Sequence, residues 1–136
     1  MPIVLDASAM LSLAFRGEGL AFGLAVLETI CAEGGHVPFL FWYEVRNALV
    51  VNERKGRITI GQAEVFLALL QDLPIVIEPL PADAGVLQLA RDHQLSVYDA
   101  AYLELAERLG MPLATLDQTL AEAARRIKVQ VFSIKS

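Results

Sequence analysis

Ile3-Val4-Leu5-Asp6-Ala7-Ser8 sets the grammar of this chain. Three apolar residues, two of them β-branched, read as a short strand covered on both faces. Asp6 ends the run, and its short acidic side chain suits the cap of a following helix. The same strand-then-helix alternation recurs to the C-terminus. Strands are predicted at Ile3–Leu5, His36–Phe39, Ile75–Glu78, Leu113–Thr115 and Val129–Ser133. Helical patterns fall at Ser8–Phe15, Leu20–Glu33, Phe41–Lys55, Thr59–Asp72, Ala82–His93, Tyr98–Leu109 and Gln118–Ile127. Gly34-Gly35 and Gly110 mark helix stops, Pro81 marks a start, and Thr59-x-x-Gln62 has the form of a capping box. Strands alternating with helices imply a mostly parallel sheet with both faces covered. No linker or internal repeat interrupts the pattern, so residues 1–136 are expected to form one three-layer α/β/α domain.

Composition narrows the classes further. The net charge of −5 argues against a broadly basic nucleic-acid coat. Local basic groups remain at Arg54, Lys55 and Arg57 and at Arg125, Arg126 and Lys128, where solvated helix ends are the favoured account. The one cysteine, Cys31, can form no internal disulfide and is expected to be a free core thiol in a reducing compartment. The strand pattern begins too early for a signal peptide, and no uncharged apolar run approaches the ~18 residues of a membrane span. A cytoplasmic protein with no membrane partner is expected. Apolar residues make up 55% of the chain. Ala21–Ala32 is apolar nearly all round and Val65–Leu70 continuously so, which calls for a partner surface.

Four acids stand in apolar surroundings: Asp6; Glu44 in Phe39-Leu40-Phe41-Trp42-Tyr43-Glu44; Asp99 in Ser96-Val97-Tyr98-Asp99-Ala100; and Asp117 after Leu113-Ala114-Thr115-Leu116. Removing a carboxylate from water costs several kcal/mol, on the order of a strong interaction, unless a positive partner compensates. None of the four has a Lys or Arg three or four places away, where a helix would bring it alongside. A metal ion or a base distant in sequence remains. Asp6, Asp99 and Asp117 also read as ordinary helix caps; Glu44 fits that account least well. Other acids look like surface features: Glu104 has Arg108 four places on, Glu53 has Arg57, and Asp83 follows Pro81.

Taken together, a strand ending Asp6-Ala7-Ser8, a helix carrying Glu44-Val45-Arg46-Asn47-Ala48-Leu49, a helix opening Tyr98-Asp99-Ala100-Ala101-Tyr102 and a strand ending Ala114-Thr115-Leu116-Asp117 resemble the PIN-domain nucleases, specifically the VapC-type toxins of toxin–antitoxin pairs. The resemblance covers essentially the whole chain. It implies a metal-dependent endoribonuclease, a homodimer held in check by a cognate antitoxin, and a parallel sheet of order 3-2-1-4-5. It also implies that Asp6, Glu44, Asp99 and Asp117 are the catalytic ligand set, with Ser8, Asn47 and Thr115 as supporting residues. Oxygen-only ligands suit Mg²⁺ or Mn²⁺. Some relatives carry a further acid two places after the Asp117 position. Thr119 stands there in this chain, which leaves one metal ion or two open.

Rival chemistries find little support. No G-x-x-x-x-G-K-S/T occurs, which excludes P-loop nucleotide hydrolysis. A phosphoaspartyl hydrolase would want an acid two places after the strand-end Asp6, where Ser8 stands, and a receiver domain would want an adjacent acid pair. His36 and His93 open a strand and close a helix and are expected to be structural. The competing reading is a catalytically silent module of the same fold that binds RNA or protein. Trp42 and Tyr43 are expected in the core or facing a partner. The Ala21–Ala32 and Val65–Leu70 helices, with Trp42–Tyr43, are expected to border one apolar groove for an antitoxin segment or a second copy.

Overall fold

The computed structural model describes residues 1–15, 17 and 19–134. Four strands, β1 (Ile3–Leu5), β2 (Gly35–Val37), β3 (Ile75–Ile77) and β4 (Leu113–Ala114), alternate with helices α1 (Ala7–Leu11), α2 (Leu20–Glu33), α3 (Leu40–Arg54), α4 (Ile60–Gln71), α5 (Asp83–His93), α6 (Val97–Leu109) and α7 (Gln118–Arg126). The sheet runs β3-β2-β1-β4, and every pairing is parallel. Val4 pairs with His36 on one side and Leu113 on the other, so β1 is central. Helices α2 and α6 both pack on β1, and α5, α6 and α7 pack in series, which completes three layers.

The expected fifth strand, Val129–Ser133, is reduced to a parallel bridge between Leu113 and Val131. Leu113 N–H donates to Gln130 O at 2.8 Å and Phe132 N–H to Leu113 O at 2.9 Å, so the 3-2-1-4-5 order survives with a vestigial edge. β2 stops at Val37 because Pro38 has no N–H for the ladder. α1 ends at Leu11, well short of Phe15, and the Ser12 hydroxyl closes its last turn on Ala9 O at 2.8 Å. The capping box at Thr59 and Gln62 forms with both bonds in place. Gly34 (φ 95°) and Gly110 (φ 64°) cap α2 and α6 in backbone conformations that a side chain would strain.

β1 is wholly buried, and Val26, Ile30, Val45, Leu103 and Leu120 close the core around it. Two expectations fail here. Cys31 is exposed on α2, because Gly23, Val26 and Ile30 form the buried stripe and position 31 falls outside it. Glu104 is buried, its Oε1 bonded to Arg108 Nε at 2.6 Å, and its Oε2 has no hydrogen-bond partner among the described residues. Arg57 pairs with Asn52 Oδ1 at 3.3 Å instead of Glu53. No helix among the described residues is long and apolar enough to cross a membrane.

Candidate active site

The order of the strands reverses between β1 and β4, and ligands of open α/β sheets bind outside the carboxyl ends at such a point. Asp6 leaves β1 there. Its backbone N–H reaches Ala114 O at 3.1 Å, extending the β1–β4 ladder by one rung. Its buried side chain is held on three sides: Oδ1 accepts from Ser8 Oγ at 2.6 Å and from Ala9 N–H at 3.1 Å, and Oδ2 accepts from Thr115 Oγ1. The same hydroxyls reach across to the β4 side. Ser8 Oγ accepts from Leu116 N–H at 3.0 Å, and Thr115 Oγ1 accepts from Asp117 N–H at 3.0 Å. Ser8 and Thr115 therefore staple the two strand ends together around Asp6.

The other acids arrive from three helices. Glu44 lies in the second turn of α3 and accepts from the Tyr102 hydroxyl at 2.5 Å. Asp99 lies in the first turn of α6, where its backbone N–H caps onto Ser96 Oγ at 3.0 Å. Asp117 is the N-cap of α7, accepting from Leu120 N–H at 3.2 Å. Asp6 and Asp117 thus do serve as caps, while Asp99 leaves that task to Ser96.

Burial and neighbouring charge act on these carboxyls together. Burial pushes the Asp6 carboxyl above its usual range; the Ser8, Thr115 and Ala9 bonds pull it back, and Asp117 pushes it up again. Glu44 is raised by burial and by the charges of Asp6 and Asp99, against the lowering effect of Tyr102. Asp99 is raised by burial and by Asp117, with Ser96 opposing. The couplings close a ring: Asp6 to Glu44, Glu44 to Asp99, Asp99 to Asp117, Asp117 to Asp6. Among the described residues no ion pair involves any of the four. The nearest cation in sequence to Glu44, Arg46, is spent elsewhere: its guanidinium lies 3.8 Å from the Trp42 ring centroid and donates to Trp42 O at 3.1 Å.

A ring of uncompensated carboxylates can hold a cation, and its oxygen donors suit a hard one. Among the described residues no three acidic, His or Cys side chains are gathered tightly enough to cage an ion as they stand. Of the supporting residues expected, Ser8 and Thr115 bond to Asp6. Asn47 is exposed on α3 and makes no hydrogen bond to the acids among the described residues. Tyr102 was not anticipated, since nothing in the sequence links it to a residue 58 positions away. Neither histidine joins the ring; His36 Nδ1 is paired with Glu78 at 2.7 Å, and His93 ends α5.

An apolar groove of ≈ 640 Å³ lies at the starts of α3 and α6, and not between α2 and α4 as expected. Phe39 and Tyr43 of the α3 entry, Leu80, and Val97 and Tyr98 of the α6 entry line it, all exposed. Leu24 of α2 and Val65 and Leu69 of α4 are exposed separately, and Trp42 borders a smaller groove against Leu70 and Ile77.

The chain has relatives among known proteins. The family model described as PIN domain matches residues 3–126. Ribonuclease VapC3 of Mycobacterium tuberculosis is 34% identical over 121 residues, covering 89% of this chain and 86% of its own. Ribonuclease VapC3 of Pyrobaculum aerophilum is 35% identical over 126 residues, 90% of this chain and 94% of its own. Among solved structures, PAE2754 from Pyrobaculum aerophilum superposes with a TM-score of 0.71 at 29% identity, covering 90% of this chain and 87% of that one. FitAcB from Neisseria gonorrhoeae shares the fold, with a TM-score of 0.67 at 18% identity over 98% of this chain and 97% of that one.

Proposed function

This chain belongs to the PIN-domain family, and on that premise we propose that it is a metal-dependent endoribonuclease, the toxin of a toxin–antitoxin pair, acting as one nuclease domain over residues 1–136. The observation that carries the reading is the closed ring of Asp6, Glu44, Asp99 and Asp117 with no cation of the described chain beside it. As packing the ring is costly. Asp117 raises Asp6 and Asp99, and Asp6 and Asp99 raise Glu44.

Asp6, Glu44, Asp99 and Asp117 would hold Mg²⁺ or Mn²⁺, which when bound supplies positive charge against the scissile phosphate and makes a water more acidic. The residues themselves bind and orient. Ser8, Thr115 and the Ala9 amide fix both oxygens of Asp6, so its position is set before any ligand arrives. Asp99 and Asp117, at helix starts facing solvent, form the open side where the RNA backbone approaches. No histidine stands in the ring to draw a proton from a ribose 2′-hydroxyl. Hydrolysis leaving 5′-phosphate and 3′-hydroxyl ends is therefore the expected course.

Two apolar faces suit two partners. The groove bordered by Phe39, Leu80 and Tyr98 and the exposed Leu24, Val65 and Leu69 side chains are the surfaces on which a second copy of the chain and an antitoxin segment would dock. An arginine from that antitoxin would suppress activity by filling the acid ring.

The test is cleavage of an unstructured RNA. It should require Mg²⁺ or Mn²⁺, stop with excess EDTA and vanish in Asp99→Asn. Persistent cleavage in EDTA, or 2′,3′-cyclic phosphate ends, would overturn the mechanism. RNA binding without any cleavage would favour the silent-module reading.

A further inference from the structure

Tyr102 is among the most buried side chains of the protein, 1% exposed, yet its hydroxyl is aimed at the acid ring. It follows Asp99 by three residues on α6, so the two share a helix face. The hydroxyl donates to Glu44 Oε1 at 2.5 Å, a short bond typical of an ionised acceptor. One hydroxyl therefore ties α6, which carries Asp99, to the helix carrying Glu44.

Glu44 needs such a tie. Its side chain is long and rotamer-rich, and Asp6 and Asp99 repel it. Released, it would swing toward solvent, away from the two charges. Burial and the Glu44 carboxylate hold the Tyr102 phenol far above its usual pKa, so the hydroxyl keeps its proton and remains a donor.

We propose that Tyr102 is a positioning residue: by bonding one oxygen of Glu44 it holds that carboxylate inside the ring and so sets the affinity for the divalent cation. The inference rests on the metal reading above and adds a residue that reading does not use.

The experiment is calorimetric titration of Mn²⁺ into the full chain, as wild type, Tyr102→Phe, Glu44→Gln and the double variant. Phenylalanine keeps the ring in the core and removes only the donor. Tyr102→Phe is expected to weaken Mn²⁺ binding about 10-fold or more, as loss of a residue orienting a metal ligand does. In the Glu44→Gln background the same change should add nothing, because its effect passes through Glu44. An unchanged affinity in Tyr102→Phe, or an equal loss in both backgrounds, overturns the inference and leaves the ribonuclease reading standing. A wild type that binds no Mn²⁺ overturns both. Should Tyr102→Phe fail to fold, the wild type decides: Mg²⁺ should perturb the tyrosine ultraviolet spectrum, and Glu44→Gln should abolish the perturbation. No such perturbation in the wild type overturns the proposal.

Discussion

Asp99→Asn is expected to make the metal-free protein more stable while destroying its response to metal. The side chain is half-buried, is raised by burial and by Asp117, and pairs with no cation among the described residues. Two unit charges about 4 Å apart repel by ~4 kcal/mol at an effective dielectric of ~20, and by ~1 kcal/mol in water. Asp99 borders solvent, so the lower figure applies after screening. Against it stands the favourable position of an acid in the first turn of α6, about 0.3–1 kcal/mol. The Ser96 cap survives, because it accepts from the Asp99 backbone and not from the carboxylate. The net is a gain of about 0.5 kcal/mol in EDTA, roughly 1–2 °C in a chain of this size. Saturating Mn²⁺ should reverse the order. A site filled at about 100 times its dissociation constant adds ~2.7 kcal/mol to the wild type, and the variant should gain far less. Thermal unfolding of both proteins in EDTA and in Mn²⁺ reads the crossing. A variant less stable than wild type by a full kcal/mol in EDTA would refute the reasoning, since it would mean that Asp99 has a favourable partner.

Thr115→Val removes the donor to Asp6 and orphans the Asp117 amide; both Thr115 and Asp6 are buried, so a loss of about 2 kcal/mol is expected, with Thr115→Ser retaining most of the stability in urea unfolding. The pH dependence follows from Asp6, Glu44 and Asp99, all raised above their ordinary values of 3.8, 4.5 and 3.8 within a ring that Asp117 completes. Between the ordinary and the raised values the folded chain binds more protons than the unfolded one, so their contribution to stability falls as pH rises through that window. Wild type should therefore lose stability relative to Glu44→Gln as pH rises above 4.5 without metal, while Mn²⁺ affinity rises because the ligands must be deprotonated; parallel pH–stability curves for the two proteins would contradict this. Gly23→Ala places a Cβ 2.1 Å from Ser12 Oγ and 3.2 Å from Leu13 Cδ2, and Ser12 is buried and bonded, so a cost of about 1–3 kcal/mol is expected by thermal melting. Gly61→Ala on the exposed start of α4, with nothing nearer than Thr59 Oγ1 at 3.8 Å, should instead stabilise by about 0.5–1 kcal/mol.

Local features carried most of the fold. The apolar triplets of β1 and β3, the Thr59 capping box and the glycine stops at Gly34 and Gly110 each act over a few residues, and each appears where the sequence places it. Boundaries moved where a tertiary or backbone constraint intervened: Pro38 ends β2, and the Ser12 hydroxyl closes α1 early. The four acids stood out because they lack cations at helical spacing, and burial or a neighbouring acid raises three of them, Asp6, Glu44 and Asp99. What stayed hidden depends on contacts between distant segments. Tyr102 and Glu44 lie 58 positions apart, and a Tyr in an apolar helix reads as core. Glu104 with Arg108 four places on looks like a surface pair until α5 packs against α6. Cys31 shows the reverse: an apolar helix pattern hid which stripe of α2 faces inward.

Anomalous diffraction from crystals soaked in Mn²⁺ tests the central claim most directly, because it locates the ion independently of activity. The account predicts a peak among the carboxylates of Asp6, Glu44, Asp99 and Asp117, lost in Asp99→Asn crystals. A fully soaked crystal with no peak there, or with the four carboxylates paired to Lys or Arg side chains of the chain, would contradict it.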